Sequence, residues 1–163
     1  DTLALMNTGY AADRAKQFDI SEQIYQRLID IAPNMTDAWV SLGYAHFQQG
    51  YPYGAIDAYT HAININPNIT VAYVNRGAAY QQVDLDDKAM ADFTTALKLE
   101  PENQDALYGM GRSLYKEGKI TEAFPYFKKI NDELYLNRIK DNLYRGYTGF
   151  TRNYHYWWYT YQW

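Results

Sequence analysis

The sequence contains no cysteine. Disulfides, thiolate catalysis and Cys-based metal or haem attachment are therefore excluded. Its three histidines are His46, His61 and His155, and no two stand at i, i+3 or i+4, so no helical metal pair exists. His46 is expected to pack or hydrogen-bond at a helix contact, and His61 to be exposed on a helix. A phosphate loop, a nucleophile elbow, a GxGxxG fingerprint and EF-hand spacing are all missing. The cluster Asp84, Asp86, Asp87 falls between two expected helices and suits N-capping. These gaps argue against an enzyme, and neither cofactor nor metal is expected. No apolar run approaches the ~18 residues that span a bilayer. Positive charge is outnumbered, with 15 Lys and Arg against 19 Asp and Glu, a net charge of −4 and a pI near 5.3. That balance disfavours general nucleic-acid binding.

What the chain does have is apolar and aromatic content. Of its 163 residues 47% are hydrophobic and 17% aromatic, including 18 Tyr. The length suits one domain or one short solenoid. Charge is segregated: residues 1–100 hold 6 Lys and Arg against 12 Asp and Glu, and residues 101–163 hold 9 against 7. The sequence closes on YHYWWYTYQW, which holds three of the four Trp and no formal charge apart from any protonation of His155.

A period of 34 runs through the rest. Pro33, Pro67 and Pro101 are 34 residues apart, and so are Gly9, Gly43, Gly77 and Gly111. The blocks are 2–35, 36–69, 70–103 and 104–137. Their fourth positions are Leu5, Trp39, Tyr73 and Leu107; their twentieth are Ser21, Ala55, Ala89 and Ala123. Their twenty-fourth are Tyr25, Tyr59, Phe93 and Phe127, and their twenty-seventh Leu28, Ala62, Ala96 and Ile130. Each block carries two apolar stripes at helical spacing, broken at segments such as QQGYP (48–52) and KEGK (116–119). A Gly inside each stripe costs ~1 kcal/mol against Ala unless packing needs it, so these are sites of close helix approach. Pro at the block end stops the second helix.

Over residues 2–137 the pattern resembles the tetratricopeptide repeat family. The second block matches best, with WVSLG at 39–43 followed by Ala55, Tyr59, Ala62 and Pro67. The resemblance implies an all-α, right-handed superhelical solenoid of four helix-turn-helix repeats. The fourth block departs from the pattern, with Tyr135 in place of the final Pro. Pro125, four residues past the expected N-cap Thr121, predicts a late start or a kink. Residues 138–147 are expected to form a short capping helix, and 148–163 an extended aromatic tail.

The resemblance also implies which positions line the concave groove. Carried over residue by residue, the second, fifth, ninth, twelfth and thirteenth positions give Leu3, Met6, Tyr10, Asp13 and Arg14 in the first block. They give Asp37, Val40, Tyr44, Phe47 and Gln48 in the second, and Val71, Val74, Ala78, Gln81 and Gln82 in the third. The fourth supplies Asp105, Tyr108, Arg112, Tyr115 and Lys116. Where some family members clamp a terminal carboxylate with Lys, Asn and Arg, this chain has Met6, Tyr10, Ser41, Val71 and Asn75. The groove is apolar and aromatic instead, with Met6, Tyr10, Val40, Tyr44, Phe47, Val74, Tyr108, Arg112 and Tyr115 as candidate partner contacts.

Two functions follow. The first is self-assembly into an oligomer or filament. The tail residues Phe150, Tyr154, Tyr156, Trp157, Trp158, Tyr159, Tyr161 and Trp163 are an aggregation hazard unless a groove receives them. Docking on a neighbour would be heterologous and open-ended. The second is a monomeric adaptor that binds a foreign apolar or aromatic peptide, with the tail as a cap on its own last repeat. Asn34 and Asn68 lie in N-glycosylation sequons at equivalent inter-repeat turns. The compartment is left open, with an extracellular or periplasmic setting slightly favoured over a cytoplasmic one.

Overall fold

The computed structural model describes residues 1–145, without the side chains of 142–145. The tail residues Phe150, Tyr154, Tyr156, Trp157, Trp158, Tyr159, Tyr161 and Trp163 lie outside the described residues, as does the end of the expected 138–147 helix. Among the described residues there are nine helices and no strand. They are α1 (Thr2–Arg14), α2 (Phe18–Ile31), α3 (Thr36–Gln48), α4 (Pro52–Ile65), α5 (Thr70–Gln82), α6 (Asp86–Leu99), α7 (Gln104–Lys116), α8 (Ile120–Lys129) and α9 (Glu133–Arg145). Each helix packs on the next in chain order, giving an all-α repeat solenoid.

Two different endings alternate along the chain. The first helix of each repeat closes on a left-handed residue: Lys16, Gly50, Asp84 and Gly118 have φ of 58°, 78°, 58° and 77°. At Gly50 the amide donates to Phe47 O at 3.1 Å, and the next amide, of Tyr51, donates to His46 O at 2.9 Å. This pair of bonds satisfies the last carbonyls and reverses the chain tightly. The second helices end otherwise. Their C-caps Ala32, Asn66 and Glu100 are extended, with φ of −139°, −133° and −134°. Each directly precedes Pro33, Pro67 or Pro101, whose ring disfavours a helical residue before it.

The core explains why Gly and an aromatic share the period. A Cβ on Gly9, Gly43, Gly77 or Gly111 would lie 2.4, 2.6, 2.7 or 2.9 Å from the ring of Tyr25, Tyr59, Phe93 or Phe127. Each ring therefore abuts a glycine of the partner helix, where any side chain would collide. Tyr25, Tyr59, Phe93 and Phe127 are among the most completely buried side chains, beside Ser21, Ala55, Ala89 and Ala123.

The fourth repeat corrects two expectations. Helix α8 does not start late; it begins at Ile120 with Lys119 as N-cap, and Pro125 is accommodated inside it. Thr121 is not the cap. The helix is short instead, 10 residues against 14 in α2, α4 and α6. It closes like a first helix: Asn131 takes φ 54°, its amide donates to Lys128 O, and the Asp132 amide donates to Phe127 O. Asn tolerates that left-handed region, and no Pro holds the chain extended here. The chain thus turns early, and the last helix begins at Glu133 rather than 138. Asp132 caps it by accepting the Tyr135 amide at 3.1 Å. Helix α9 buries Ile139 and packs Tyr135 and Leu136 on the core. Glu133, Asn137, Arg138, Lys140 and Asp141 are exposed, together with Leu134, which gives the largely polar outer face a solenoid end requires.

Candidate peptide-binding groove

The sixth position of each first helix is occupied by Asn7, Ser41, Asn75 and Gly109. The buried rings of the second helices reach this row. The Tyr25 hydroxyl donates to Asp13 Oδ2 at 2.6 Å and also meets the Ser41 side chain. Burial, followed by the Asp13 carboxylate, pushes the Tyr25 phenol far above its ordinary range. The Tyr59 hydroxyl meets the side chain of Asn75, and burial pushes this phenol above its ordinary range as well. Phe93 has no hydroxyl, and the residue facing it is Gly109, where a Cβ would lie 2.4 Å from the ring. Tyr is thus matched to a polar partner in the next repeat, and Phe to none.

The groove residues expected from the sequence fall into three groups. Tyr10 and Tyr44 are presented outward, 42% and 39% exposed, and Arg112 is exposed. Tyr44 stands edge-on to Phe18 at 6.1 Å. With Asn7, Asp13 and Arg14 the two Tyr line a hollow of about 640 Å³ between α1 and α3. Val40 and Phe47 are half-buried against Ala55, Tyr59 and Ala79. Met6 and Val74 are not groove surface. Both are 7% exposed: Met6 packs with Tyr25, Leu28 and Leu42, and Val74 with Ala89, Phe93 and Ala96. Small neighbours let Val74 sink into the inter-helix seam.

At the other end the groove is filled. Tyr135 of α9 stacks on Phe127 at 4.3 Å and 7°. It meets Tyr108 and Tyr115 edge-on at 5.8 and 5.5 Å. The Arg138 guanidinium lies 5.5 Å from the Tyr135 ring centre. Burial, then the hydrogen bond with Tyr108, raises the Tyr135 phenol. Tyr108 and Tyr115 are therefore partly covered by the chain's own last helix.

Polar ties that the sequence reading missed lock the repeats together. Gln81, expected in the groove, donates to Gly109 O at 2.8 Å and Ser113 Oγ at 2.7 Å. Lys116 Nζ donates to Asp84 Oδ1 at 2.5 Å and Asp86 Oδ2 at 2.7 Å. The acidic cluster therefore does not cap α6, whose N-cap is Leu85 without a side-chain bond. It grips the next repeat, and the Lys116 ammonium holds the Asp84 carboxyl below its ordinary range. Arg76 makes two 2.8 Å bonds to Asp92 and a 2.9 Å bond to Thr60 Oγ1. One signal was available: Arg76 and Asp92 are 16 residues apart, the offset that also sets Gly77 against Phe93.

His46 Nε2 lies 3.4 Å from Glu22, which also accepts from Gln49. The half-exposed His61 stacks on Trp39 at 4.3 Å, and Trp39 Nε1 donates to Pro33 O at 2.8 Å. Asn34 and Asn68 are exposed on their turns. Among the described residues no cluster of three His, Cys, Asp or Glu is placed to hold a metal, and no helix is long and apolar enough to cross a membrane.

Three sequence models of the family described as tetratricopeptide repeat match the chain, over residues 3–34, 36–69 and 78–133. No curated protein matches it in sequence. Solved structures share the fold. A crystal structure of MamA is 22% identical with a TM-score of 0.75, covering 88% of this chain and 81% of that one. The first TPR of Spaghetti (RPAP3), bound to the HSP90 peptide SRMEEVD, is 23% identical with a TM-score of 0.70, covering 72% and 93%. The Arabidopsis OM64 TPR domain is 25% identical with a TM-score of 0.69, covering 71% and 95%.

Proposed function

As a member of the tetratricopeptide repeat family the chain is a protein–protein interaction scaffold, and we propose that it assembles with copies of itself by docking the aromatic segment 148–163 into a neighbour's groove. One observation carries this: the groove is open at Tyr10 and Tyr44 and filled at Tyr108 and Tyr115. The apolar side of the fourth repeat already has a cover in α9, which supplies Tyr135, Leu136 and Ile139. A second lid from 148–163 is not needed there, which favours a site on another molecule. An occupant at the open end and a donor segment after the closed end make a heterologous contact, which builds open chains. The acidic leading and basic trailing portions favour the same order. Light scattering over a concentration series tests this. Growth with concentration in the full chain, lost on deleting 148–163, is expected; a persistent monomer contradicts it.

A foreign extended segment is the second reading, favoured by the solved relative that holds a peptide. A clamp for a terminal carboxylate would not be the basis. Met6 is buried, and Tyr10, Ser41, Val71 and Asn75 offer no cation. An apolar or aromatic segment fits better.

A further inference from the structure

One atom in the hollow between α1 and α3 is out of balance. Asp13 Oδ1 is shut from water and has no hydrogen-bond partner, while Oδ2 takes the Tyr25 hydroxyl. A buried polar atom left unpaired is costly, and such orphans call for an explanation. The equivalent residues in later repeats are Phe47, Gln81 and Tyr115, so the carboxylate is peculiar to the first repeat. Gln81 spends its amide on the next helix. Asp13 Oδ1 spends nothing, and it stands among the hollow's exposed rims, Tyr10, Arg14 and Tyr44.

We propose that this hollow is a tryptophan pocket in which Asp13 Oδ1 accepts the indole N–H of the docked segment. The proposal rests on the docking of 148–163 and names the side chain that the groove reads. Indole fits each wall. Its body is flat and apolar, as the Tyr10 and Tyr44 rings require, and it carries one donor and no acceptor. Its face attracts the Arg14 guanidinium, which repels the competing Lys or Arg donors. The segment 148–163 holds Trp157, Trp158 and Trp163. An occupant reaches Oδ1 by turning aside a rim side chain, and it then forms its bond out of water, where such bonds are strongest.

The test is calorimetric titration of a synthetic 150–163 peptide into the full chain carrying Trp157→Ser and Trp158→Ser. N1-methylation of the peptide's indoles removes the donor and keeps the rings. Methylation is expected to weaken binding about tenfold, the effect of leaving one buried acceptor unmade. Asp13→Asn, which keeps an acceptor for Tyr25, should weaken the plain peptide and leave the methylated one unchanged. Equal binding of both peptides overturns the pocket while docking stands. If neither peptide binds, docking falls, and N-acetyltryptophanamide decides the pocket alone. Shifts in the Tyr10 and Tyr44 ring signals with it, and none with its N1-methyl form, uphold the pocket; no shifts, or equal shifts with N-acetyltyrosinamide, overturn it. The methylation arms need no protein variant at Asp13, so a folding defect cannot mimic the result.

Discussion

Gly43 lies so close to Tyr59 that an added Cβ would stand 2.6 Å from Cε1 of the ring. The contact repeats at Gly9 with Tyr25, Gly77 with Phe93 and Gly111 with Phe127, which ties the two periodic residue types into one device. The ring cannot retreat, because Tyr59 is 1% exposed and walled by Ala55 and Ala79.

Gly43→Ala should therefore destabilise the chain, against the usual helical preference for Ala. Overpacking of this kind costs about 1–3 kcal/mol, more than the ~1 kcal/mol gained in propensity. Gly50 differs: nothing lies within 4 Å of a Cβ there, and φ of 78° is the constraint. Gly50→Asn should be nearly neutral, since Asn tolerates that region. Urea unfolding of both variants measures the contrast.

The same geometry shows how far the sequence was legible. Gly and Pro each mark a backbone requirement, a close approach or a helix stop, so they reported the repeat boundaries: the blocks start where α1, α3, α5 and α7 start. The start of α9 was misplaced, at 138 instead of Glu133, because Asn131 turns the chain where earlier repeats hold it extended before Pro, and a 34-residue frame does not foresee a shorter helix. Met6 and Val74 were misplaced because their repeat position borders both groove and core. Burial there depends on neighbours such as Ala89 and Ala96, which belong to other helices. The pair Arg76–Asp92 forms within one hairpin, at the same 16-residue offset as Gly77 and Phe93, whereas Lys116–Asp84 joins successive hairpins and becomes visible only once they stack.

Tyr59 and Asn75 form a matched pair. Tyr59→Phe alone should cost about 1 kcal/mol, the net worth of one buried hydrogen bond. Tyr59→Phe combined with Asn75→Ala reproduces the logic of Phe93 facing Gly109, and it should cost no more than the first change alone. Additive losses in a double-mutant cycle would show that the two side chains are not coupled.

Asp92→Ala should be among the most harmful single changes. It would leave Arg76, whose side chain is 15% exposed, without its bidentate carboxylate. Breaking a buried pair by removing one partner costs about 3–5 kcal/mol. Replacing both, as Arg76→Met with Asp92→Leu, should recover most of that loss. A thermal melt of the three variants orders them.

Tyr135 joins α9 to the fourth repeat through Phe127, Tyr108 and Tyr115. Tyr135→Ala should cost about 2 kcal/mol, less than a fully buried aromatic because Tyr135 is half-buried. Deleting 148–163 should leave the melt unchanged. A melt lowered more by the deletion than by Tyr135→Ala would make that segment, and not α9, the cap of the solenoid.

The central claim is that one copy's tail occupies another copy's groove. Trp157→Ser with Trp158→Ser disables the tail, and Tyr44→Ala disables the groove; truncating such aromatic anchors costs ~2 kcal/mol or more of binding. Sedimentation velocity on each variant alone should show monomer. A mixture of the two should show a 1:1 dimer and nothing larger, because only one intact tail and one intact groove can meet. Two variants that stay monomeric when mixed, or that each assemble alone like the unaltered chain, would contradict docking between copies.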